Sequence, residues 1–429
     1  MAATGLNLGP GPVYLDETSQ QAPYPAVIYR WQEGSSPDLS EELVRRGHQV
    51  DVMTSRALDF HTWKNELPAF ERRNGVDVYR FRSMRRRDWV WAILDFGLRH
   101  YWPQRRRRYE PLIFLGGGPL APGLLRAMLT RGHHYDLVHL NCLVYSHVAY
   151  GYWAARRRGV PVVVTPHAHA SQEVTYNVGY QRAVMAGCDH VIADTPAERD
   201  LLLELGLDPL RVSIGGTGLD PVQYEDGSRQ EARQQLDLPL EGFVVLFLGR
   251  KSDYKGLDVA LEAHLALRNQ RPNLHLLAVG PETDYSRALW SRYGHRAGVH
   301  VRGAVSHEEK LAALRACDCL ALPSTAEAFG IVFLESWIMG RPVIGARTRA
   351  VSSVIAEGED GLLAAPGDAA GLAACIARLV GDPDRARQMG TRGREKVLRR
   401  YTVPRIGDRV EGIYLRTLRQ RQREGGRQP

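Results

Sequence analysis

The sequence predicts an α/β protein made of two doubly wound domains, each a parallel sheet with helices on both faces. Its 429 residues exceed the roughly 250 to 300 at which one hydrophobic core stops growing. From Tyr24 onward, short apolar runs alternate with amphipathic helical stretches, which is typical of parallel sheets covered by helices. This alternation pauses between Gly215 and Ser228 and then restarts, so we expect two such domains.

Twelve apolar runs are the predicted strands. In the first half they cover residues 26–29, 49–54, 76–81, 136–140, 161–165 and 190–194, and in the second half residues 243–249, 273–280, 299–303, 319–323, 342–345 and 361–365. The expected organisation is a tail (1–24), a first domain (25–214), a second domain (215–400) and a C-terminal segment (401–429). That segment carries a helix from Arg405 to about Gln420, which could return to the first domain, and a basic tail.

Composition narrows the class of protein. Hydrophobic residues at 44% and charged residues at 24% are ordinary for a globular chain and exclude disorder or collagen-like repeats. The five cysteines show no C-x-x-C spacing, which argues against a disulfide framework or a zinc knuckle. No secretory signal and no membrane-spanning stretch stand out, so we expect a cytoplasmic protein. The net charge of +8 permits anionic partners, but scattered arginines without a recognition motif argue against nucleic acid.

Candidate binding residues follow the first strand of the second half. Parallel sheets bind ligands at the carboxyl ends of their strands, so two facing sheets predict an interdomain cleft. Arg250 and Lys255 come directly after such a strand, and Lys255-Gly256 precedes a helix in a chain that has only five lysines. A guanidinium, a mobile ammonium and a helix start suit a diphosphate. The alternative is a solvated basic loop.

A second constellation lies between Pro323 and Gly345, where a strand ends and a helix is predicted from about Gly330 to Met339. Glu327 and Glu335 are eight residues apart, which would place them on one helix face about 12 Å apart if both were helical. That spacing suits the two hydroxyl-rich ends of a sugar nucleotide. In the alternative, Glu327 is an acid at the helix start and Glu335 is a surface residue. Glu335 has apolar neighbours in the sequence, however, and an unpaired carboxylate is costly if it is buried. A ligand hydroxyl would give that carboxylate a partner.

These motifs resemble the retaining GT-B glycosyltransferases of the glycosyltransferase family 4 type, which include bacterial mannosyltransferases and sucrose-phosphate synthases. The run from Glu327 to Glu335 matches their E-x7-E signature. Further matches are Gly249-Arg250 with Lys255-Gly256, and the segments RRGHQVDVMTS, VPVVVTPHAH and ADTPAERDLLLELG. Together they cover the chain from about residue 25.

The resemblance implies a GT-B fold of two Rossmann-like domains and a hexosyltransferase activity in carbohydrate biosynthesis. Such enzymes move a sugar with retention from a nucleotide-sugar donor, here UDP- or GDP-linked, and need no metal or other cofactor. The first domain would then serve the acceptor and the second the donor. The one D-x-D, at residues 382–384, lies in a polar turn and is predicted to be a turn and helix cap.

The resemblance also implies individual roles. Arg250 and Lys255 would neutralise the donor diphosphate, Glu335 would hold the ribose hydroxyls, and Glu327 would lie near the transferred sugar. The backbone of Phe329, Gly330 and Ile331 would contact sugar and phosphate. His167, after the strand PVVVT, resembles the histidine that faces the donor sugar, with His169 as the competing candidate.

Two departures from the family pattern leave an alternative open. After the first strand the family has a Gly-Gly loop against phosphate and acceptor, whereas this chain offers Gly34 followed by Ser35 and Ser36. The linker also differs, over residues 216–220. The alternative is therefore a weak or inactive GT-B protein that binds a sugar nucleotide. A dinucleotide-dependent oxidoreductase is disfavoured, because no G-x-G-x-x-G follows the first strand of either half.

The segment from Met84 to Arg108 interleaves aromatic residues with arginine clusters. A basic, aromatic, amphipathic stretch is typical of a protein that lies on an anionic membrane surface, here the inner face. The alternative is a helix that packs its aromatic side chains on the sheet and exposes its arginines. A lipid-linked acceptor would fit the first interpretation, and the sequence leaves both open.

Overall fold

The computed structural model contains two compact α/β units. It describes residues 27–28, 39–57, 63–84, 88–102, 104–131, 135–168, 176–224, 227–293 and 296–425. The first unit runs to Gly216 and takes up the chain again at Gly407, and the second runs from Thr217 to Ile406. The change of unit falls between Gly216 and Thr217, two residues from the expected domain border, and a second change falls inside the last helix.

The first unit is built on an eight-stranded sheet with the order β3-β4-β2-β1-β5-β6-β7-β8. Its strands are β1 Val27–Ile28, β2 Asp51–Ser55, β3 Phe70–Arg73, β4 Val76–Phe81, β5 Val138–Asn141, β6 Val162–Thr165, β7 His190–Ala193 and β8 Val212–Ile214. All neighbours are parallel except β3 and β4. Strands β5 and β6 are buried along their whole length, as expected for a parallel sheet covered on both faces.

Seven helices accompany this sheet in the described residues: α1 Leu39–Arg45, α2 Asp88–Tyr101, α3 Glu110–Gly117, α4 Pro122–Arg131, α5 Ser146–Arg157, α6 Gly179–Gly187 and α7 Pro196–Glu204. The main core of the unit lies between helices α4 to α7 and strands β5 to β7. Helix α5 begins five residues after the end of β5, and helix α7 begins three residues after the end of β7. The short loops at the carboxyl ends of these strands are therefore fixed by a strand on one side and a helix on the other.

The second unit has a six-stranded sheet, all parallel, with the order β11-β10-β9-β12-β13-β14. Its strands are β9 Phe243–Leu248, β10 Leu274–Val279, β11 Val299–Arg302, β12 Cys319–Leu322, β13 Val343–Ala346 and β14 Gly361–Ala364. The chain starts in the middle with β9, builds outward to β11 and then returns to β12 on the other side. The strand order therefore reverses between β9 and β12, which is where open α/β sheets bind their ligands.

The helices of this unit in the described residues are α8 Arg229–Gln235, α9 Leu257–Arg268, α10 Asp284–Tyr293, α11 His307–Ala316, α12 Ile331–Ile338, α13 Arg349–Val354, α14 Ala369–Gly381 and α15 Pro383–Arg400. One continuous core joins them to the sheet. Helix α12 is almost entirely buried, so the residues around its start are firmly placed.

The last helix, α16 Val403–Gly425, is longer than the predicted span of Arg405 to about Gln420. From Gly407 it belongs to the first unit. There the Tyr414 hydroxyl lies 2.5 Å from Nδ1 of His139 on β5. Two carboxylate oxygens of Glu411 contact Arg46 and His48, at 2.9 and 2.7 Å.

Each of the twelve predicted strands has a counterpart whose ends lie within two residues of the expected ones, over the part of the chain that is described. Strands β3 and β8 were not predicted. Both lie at the edges of the first sheet, and β3, with the sequence FERR, alternates between exposed and half-buried residues. An edge strand needs no apolar run, because one of its sides faces solvent.

Helix α2 covers most of the aromatic, arginine-rich segment. Its inner face, with Leu94, Leu98 and Tyr101, packs with Ile113 of α3. Trp89 and Phe96 are exposed, at 59% and 47%. In the described residues no single helix combines the length and apolar character needed to cross a membrane, although one pair, Arg107–Gly117 with Pro122–Thr130, meets that test jointly while bent by 96°.

Candidate active site

The candidate site of the second unit is formed by the loops that follow β9 and β12, on either side of the strand-order reversal. The backbone carbonyl of Tyr254, in the first loop, accepts hydrogen bonds from the N–H of Thr325 at 2.8 Å and the hydroxyl of Ser324 at 3.2 Å. Gly256 has φ 75°, and a Cβ at this position would lie 2.6 Å from the carbonyl oxygen of Pro323. A glycine is therefore needed for the two loops to approach each other this closely.

Lys255 and Glu327 form a buried ion pair across these loops. The Lys255 Nζ donates to Glu327 Oε1 at 2.7 Å, and the two side chains are 14% and 2% exposed. The ammonium also lies 5.3 Å from the ring centroid of Tyr254. Arg250 is half-buried at the start of the same loop. The structure thus brings together a lysine and a glutamate that are 72 residues apart in the chain.

Glu327 and Glu335 do not share a helix face, because the condition that both are helical is not met, although the helix begins within one residue of the predicted start. Helix α12 begins at Ile331, because Gly330 before it has φ 79° and ψ 65° in the left-handed region. Glu327 consequently lies in the loop and only Glu335 in the helix. A Cβ at Gly330 would meet the ring of Phe333 at 2.6 Å, so this turn requires glycine. Of the N–H groups in the first helical turn, that of Phe333 donates to the carbonyl oxygen of Gly330 at 2.9 Å, and the N–H groups of a helix start point toward the residues that precede the helix.

Glu335 has protein partners, contrary to the expectation that a ligand hydroxyl would be needed to satisfy it. Its Oε1 accepts hydrogen bonds from the Tyr224 hydroxyl and from Lys310 Nζ, both at 2.7 Å. Burial by itself would raise the pKa of this carboxyl, but Lys310 and Tyr224 together hold the pKa below its usual value. Glu335 is therefore ionised at neutral pH. In the part of the chain that is described, its second oxygen, Oε2, accepts no hydrogen bond.

Lys251, which the sequence reasoning did not select, ties three strand ends together. Its Nζ donates to the carbonyl oxygens of Gly280 at 2.9 Å and Arg302 at 2.7 Å, and it forms an ion pair with Glu282. These groups follow or end β10 and β11, so the loops after β9, β10 and β11 share one buried cation. The rarity of lysine in this chain was the available signal, because only five are present and two others, Lys255 and Lys310, pair with Glu327 and Glu335.

In the first unit, His167 lies two residues after β6, with φ 52°. Its Nδ1 is 2.5 Å from Oδ2 of Asp194, which directly follows β7, and both side chains are buried. Glu198 on α7 accepts a hydrogen bond from the N–H of Asp194 at 2.7 Å and from the N–H of Ala168 at 2.5 Å. Asp194 and Glu198 were not predicted as functional residues, although both belong to the motif ADTPAERDLLLELG.

The other predicted site residues lie outside the described part of the chain, namely His169, Gly34, Ser35 and Ser36. The D-x-D turn behaves as expected: Asp382 caps α15 by accepting from the N–H of Arg385 at 3.0 Å. Over the residues that are described, no group of three or more histidine, cysteine, aspartate or glutamate side chains is arranged to hold a metal ion.

Comparison with known proteins identifies the family. Residues 228–396 match the family described as "Glycosyl transferases group 1", and residues 36–216 match the "Glycosyl transferase 4-like domain". A D-inositol 3-phosphate glycosyltransferase of Acidothermus cellulolyticus is 29% identical over 67% of this chain and 68% of its own length. D-inositol 3-phosphate glycosyltransferase 1 of Catenulispora acidiphila is 31% identical over 62% of this chain and 68% of its own.

Solved structures show the same fold. Anabaena HepE in complex with UDP and glucose has a TM-score of 0.67 at 19% identity, covering 91% of this chain and 99% of that one. Sucrose-phosphate synthase from Thermosynechococcus elongatus has a TM-score of 0.70 at 21% identity, covering 92% and 99%. The chain therefore belongs to the GT-B glycosyltransferases of the glycosyltransferase family 4 type, and it is a transferase enzyme, as the sequence predicted.

Proposed function

We propose that this glycosyltransferase moves a hexose from a UDP- or GDP-linked donor to an acceptor, with retention of the anomeric configuration and without a bound metal. The observation that carries the proposal is the Lys255–Glu327 pair at the reversal of the strand order in the second unit. A lysine held by a buried carboxylate at this edge is a preorganised cation at the position where α/β sheets bind nucleotides.

The charges of the site suit the leaving group of the reaction. Departure of a nucleoside diphosphate places negative charge on the β-phosphate. Lys255 and Arg250 would neutralise that charge, and the N–H groups at the start of α12, near Phe329, Gly330 and Ile331, would donate to it. Because these groups are fixed before the reaction, they would stabilise the transition state more than the ground state. This arrangement supplies the positive charge that a metal would otherwise bring.

Glu335 and Glu327 would contact the two parts of the donor on either side of the diphosphate, the ribose and the transferred sugar. Glu335 is ionised and retains Oε2 as an acceptor, which suits the hydroxyls of a ribose. Glu327 lies in the loop before α12 and would be close to the transferred sugar. A UDP-sugar is the first donor to test, since the structure of HepE was solved with UDP-glucose.

A thermal-shift panel of UDP-, GDP- and ADP-sugars tests donor binding, because a ligand that binds only the folded protein raises its melting temperature. We expect one nucleotide to stabilise the wild type and to lose this effect in Lys255→Ala. The matched control is Lys396→Ala, which removes another buried lysine of the same unit: Lys396 pairs with Asp360 at 2.5 Å, with side-chain exposures of 13% and 6%. This control should keep the nucleotide-induced shift. No stabilisation by any of the three nucleotides would contradict the proposal.

Turnover separates the enzyme from an inactive sugar-nucleotide binder. The assay measures nucleotide release from the donor that binds, with acceptors that include D-inositol 3-phosphate, the substrate in the names of the curated relatives. We expect release that is lost in Glu327→Ala. Donor binding without release across a broad acceptor panel would favour the inactive binder.

Retention and metal independence need their own measurements. The proton NMR spectrum of the newly formed glycoside should show the same anomeric configuration as the donor sugar. Activity should be unchanged after exhaustive treatment with EDTA. Inversion of the anomer, or loss of activity that Mg²⁺ or Mn²⁺ restores, would overturn the corresponding part of the proposal.

We also propose that the first unit docks on an anionic membrane through the outer face of α2 and the arginines that follow it, as a protein working at the inner face of the membrane would. Trp89 and Phe96 are exposed on this helix, and the described arginines after it, 105 to 108, are exposed as well. Aromatic side chains beside a cluster of positive charge complement an anionic lipid surface. Sedimentation with phosphatidylglycerol vesicles should recover the wild type but not Trp89→Ser, and phosphatidylcholine vesicles should recover neither. Equal sedimentation of both proteins would contradict this.

A further inference from the structure

The loops that follow β5, β6 and β7, together with the start of α7, hold a buried cluster at the carboxyl edge of the first unit's sheet. It consists of Cys142, His167, Asp194 and Glu198, which are at most 7% exposed. Cys142 and His167 both have positive φ, at 64° and 52°, although neither is glycine. Backbone in this region costs about 1 to 3 kcal/mol for such residues and persists where the surroundings require it, which is commonly at a functional site.

The hydrogen bonds of the cluster define which ring atom of His167 is available. A carboxylate accepts hydrogen bonds, so Nδ1 carries the proton that faces Asp194. Nε2 is buried and has no hydrogen-bond partner among the described residues. A buried polar atom of this kind generally meets water or a ligand. The ring therefore has one nitrogen held by the protein and one nitrogen left for a further partner.

Glu198 holds the two loops that meet at this ring. One carboxylate oxygen accepts from the N–H of Ala168, next to His167, and the other accepts from the N–H of Asp194. The same side chain thus bridges the loop after β6 to the loop after β7. Its own position is set by the start of α7, where Thr195 caps the N–H of Glu198 at 3.0 Å.

We propose that Asp194 is a positioning residue that holds the His167 ring through Nδ1 and balances the charge of the doubly protonated ring, so that Nε2–H is presented as a hydrogen-bond donor to a hydroxyl oxygen of the sugar substrate, with Glu198 locking the two loops. This rests on the role proposed for His167 in the transfer reaction. The proposal gives roles to Asp194 and Glu198, to which neither the sequence motif nor the comparisons assign any role.

The surrounding charges support a donor at Nε2. Burial by itself would lower the pKa of His167, but the Asp194 carboxylate and the Cys142 side chain raise it well above the usual value. Other titratable groups around the cluster in the described residues are Glu198, whose pKa burial and Asp194 raise to about 8, and His139 on β5, whose pKa burial lowers to about 3. Tyr145 and Tyr176 lie in the same buried cluster as Cys142. His139 is therefore neutral, and Asp194 supplies the negative charge next to the ring.

The test compares Asp194→Asn with Asp189→Asn. Asp189 is a matched control in the same unit: it precedes β7 at the opposite edge of the sheet, where it accepts from the N–H of Val162 at 2.7 Å and pairs with Arg156. Histidine Cε1 is labelled with ¹³C, and His167 is assigned by its loss in His167→Gln. We expect the pKa of His167 to fall by one unit or more in Asp194→Asn and to stay within about 0.3 units in Asp189→Asn, since one unit corresponds to about 1.4 kcal/mol of lost interaction.

Nucleotide release is then measured against pH in the same proteins. In Asp194→Asn the alkaline limb of the kcat profile should move to lower pH by the same amount as the His167 titration, with the donor KM changed less than threefold. A purely structural role predicts instead that both variants lose stability and leave the pH profile in place, and that result would overturn the proposal. If the wild type releases no nucleotide from any donor, the proposed function fails, while the NMR titration alone still decides whether Asp194 controls the ring.

Discussion

Replacing Lys255 by methionine removes the ammonium from the Lys255–Glu327 pair and keeps most of the side-chain volume. At 2.7 Å and an effective dielectric constant of about 20, two unit charges attract each other by about 6 kcal/mol before desolvation is counted. The Glu327 side chain is only 2% exposed, so its carboxylate would be left buried without a counter-charge. Breaking a buried pair from one side costs about 3 to 5 kcal/mol, and we expect Lys255→Met to lose that amount of unfolding free energy.

The loss is measured by urea unfolding and by thermal melting. For a unit of this size, 1 kcal/mol corresponds to about 2 to 4 °C, so the melting temperature should fall by about 6 to 20 °C. The double variant with Glu327→Gln should recover much of the loss, because the uncompensated charge is then removed. A loss below about 1 kcal/mol in the single variant, or no recovery in the double, would refute the assignment of a buried, mutually dependent pair.

Three further outcomes are expected from the same site. Gly330→Ala should lose about 1 to 3 kcal/mol in urea unfolding and lower nucleotide affinity, since its φ is 79° and the new Cβ would meet Phe333; an unchanged midpoint would contradict the left-handed turn. Lys310→Met should weaken unfolding stability near pH 7. In the folded wild type the pKa of Glu335 lies below 4.5, its value in the unfolded chain, so the ionised carboxylate stabilises the fold above about pH 4.5. This contribution is lost as the pH falls further, so the stabilities of the wild type and Lys310→Met should converge in acid. Lys251→Met should lower the melting temperature even without nucleotide, because three acceptors lose their shared donor; an equal melting temperature would argue against this anchor.

The fold was predictable because a buried parallel strand leaves a short apolar run in the sequence. Strands such as β9, with the sequence FVVLFL, are apolar throughout since both faces are covered. The edge strand β3 leaves no such signal. It pairs antiparallel with β4, which follows it in the chain after a connection of two residues. The family resemblance was carried by motifs at strand ends, and the matches to both halves of the chain confirm it.

The site was predictable only where its residues lie close to a motif. Glu335 was identified by its spacing from Glu327, but its partners Lys310 and Tyr224 are 25 and 111 residues away, and no local pattern joins them. The eight-residue spacing does not place the two acids on one helix face, because the helix predicted from about Gly330 begins at Ile331 and leaves Glu327 in the preceding loop. Long-range pairs and backbone angles of this kind follow from packing and cannot be inferred from residue order.

The most direct test of the account is a crystal structure of the protein with UDP. We predict that the diphosphate lies beside the start of α12, with phosphate oxygens about 3 Å from Lys255 Nζ and from a backbone N–H of the first turn, and with the ribose hydroxyls at Glu335. UDP bound at a place that contacts neither Lys255 nor the start of α12 would contradict the central claim.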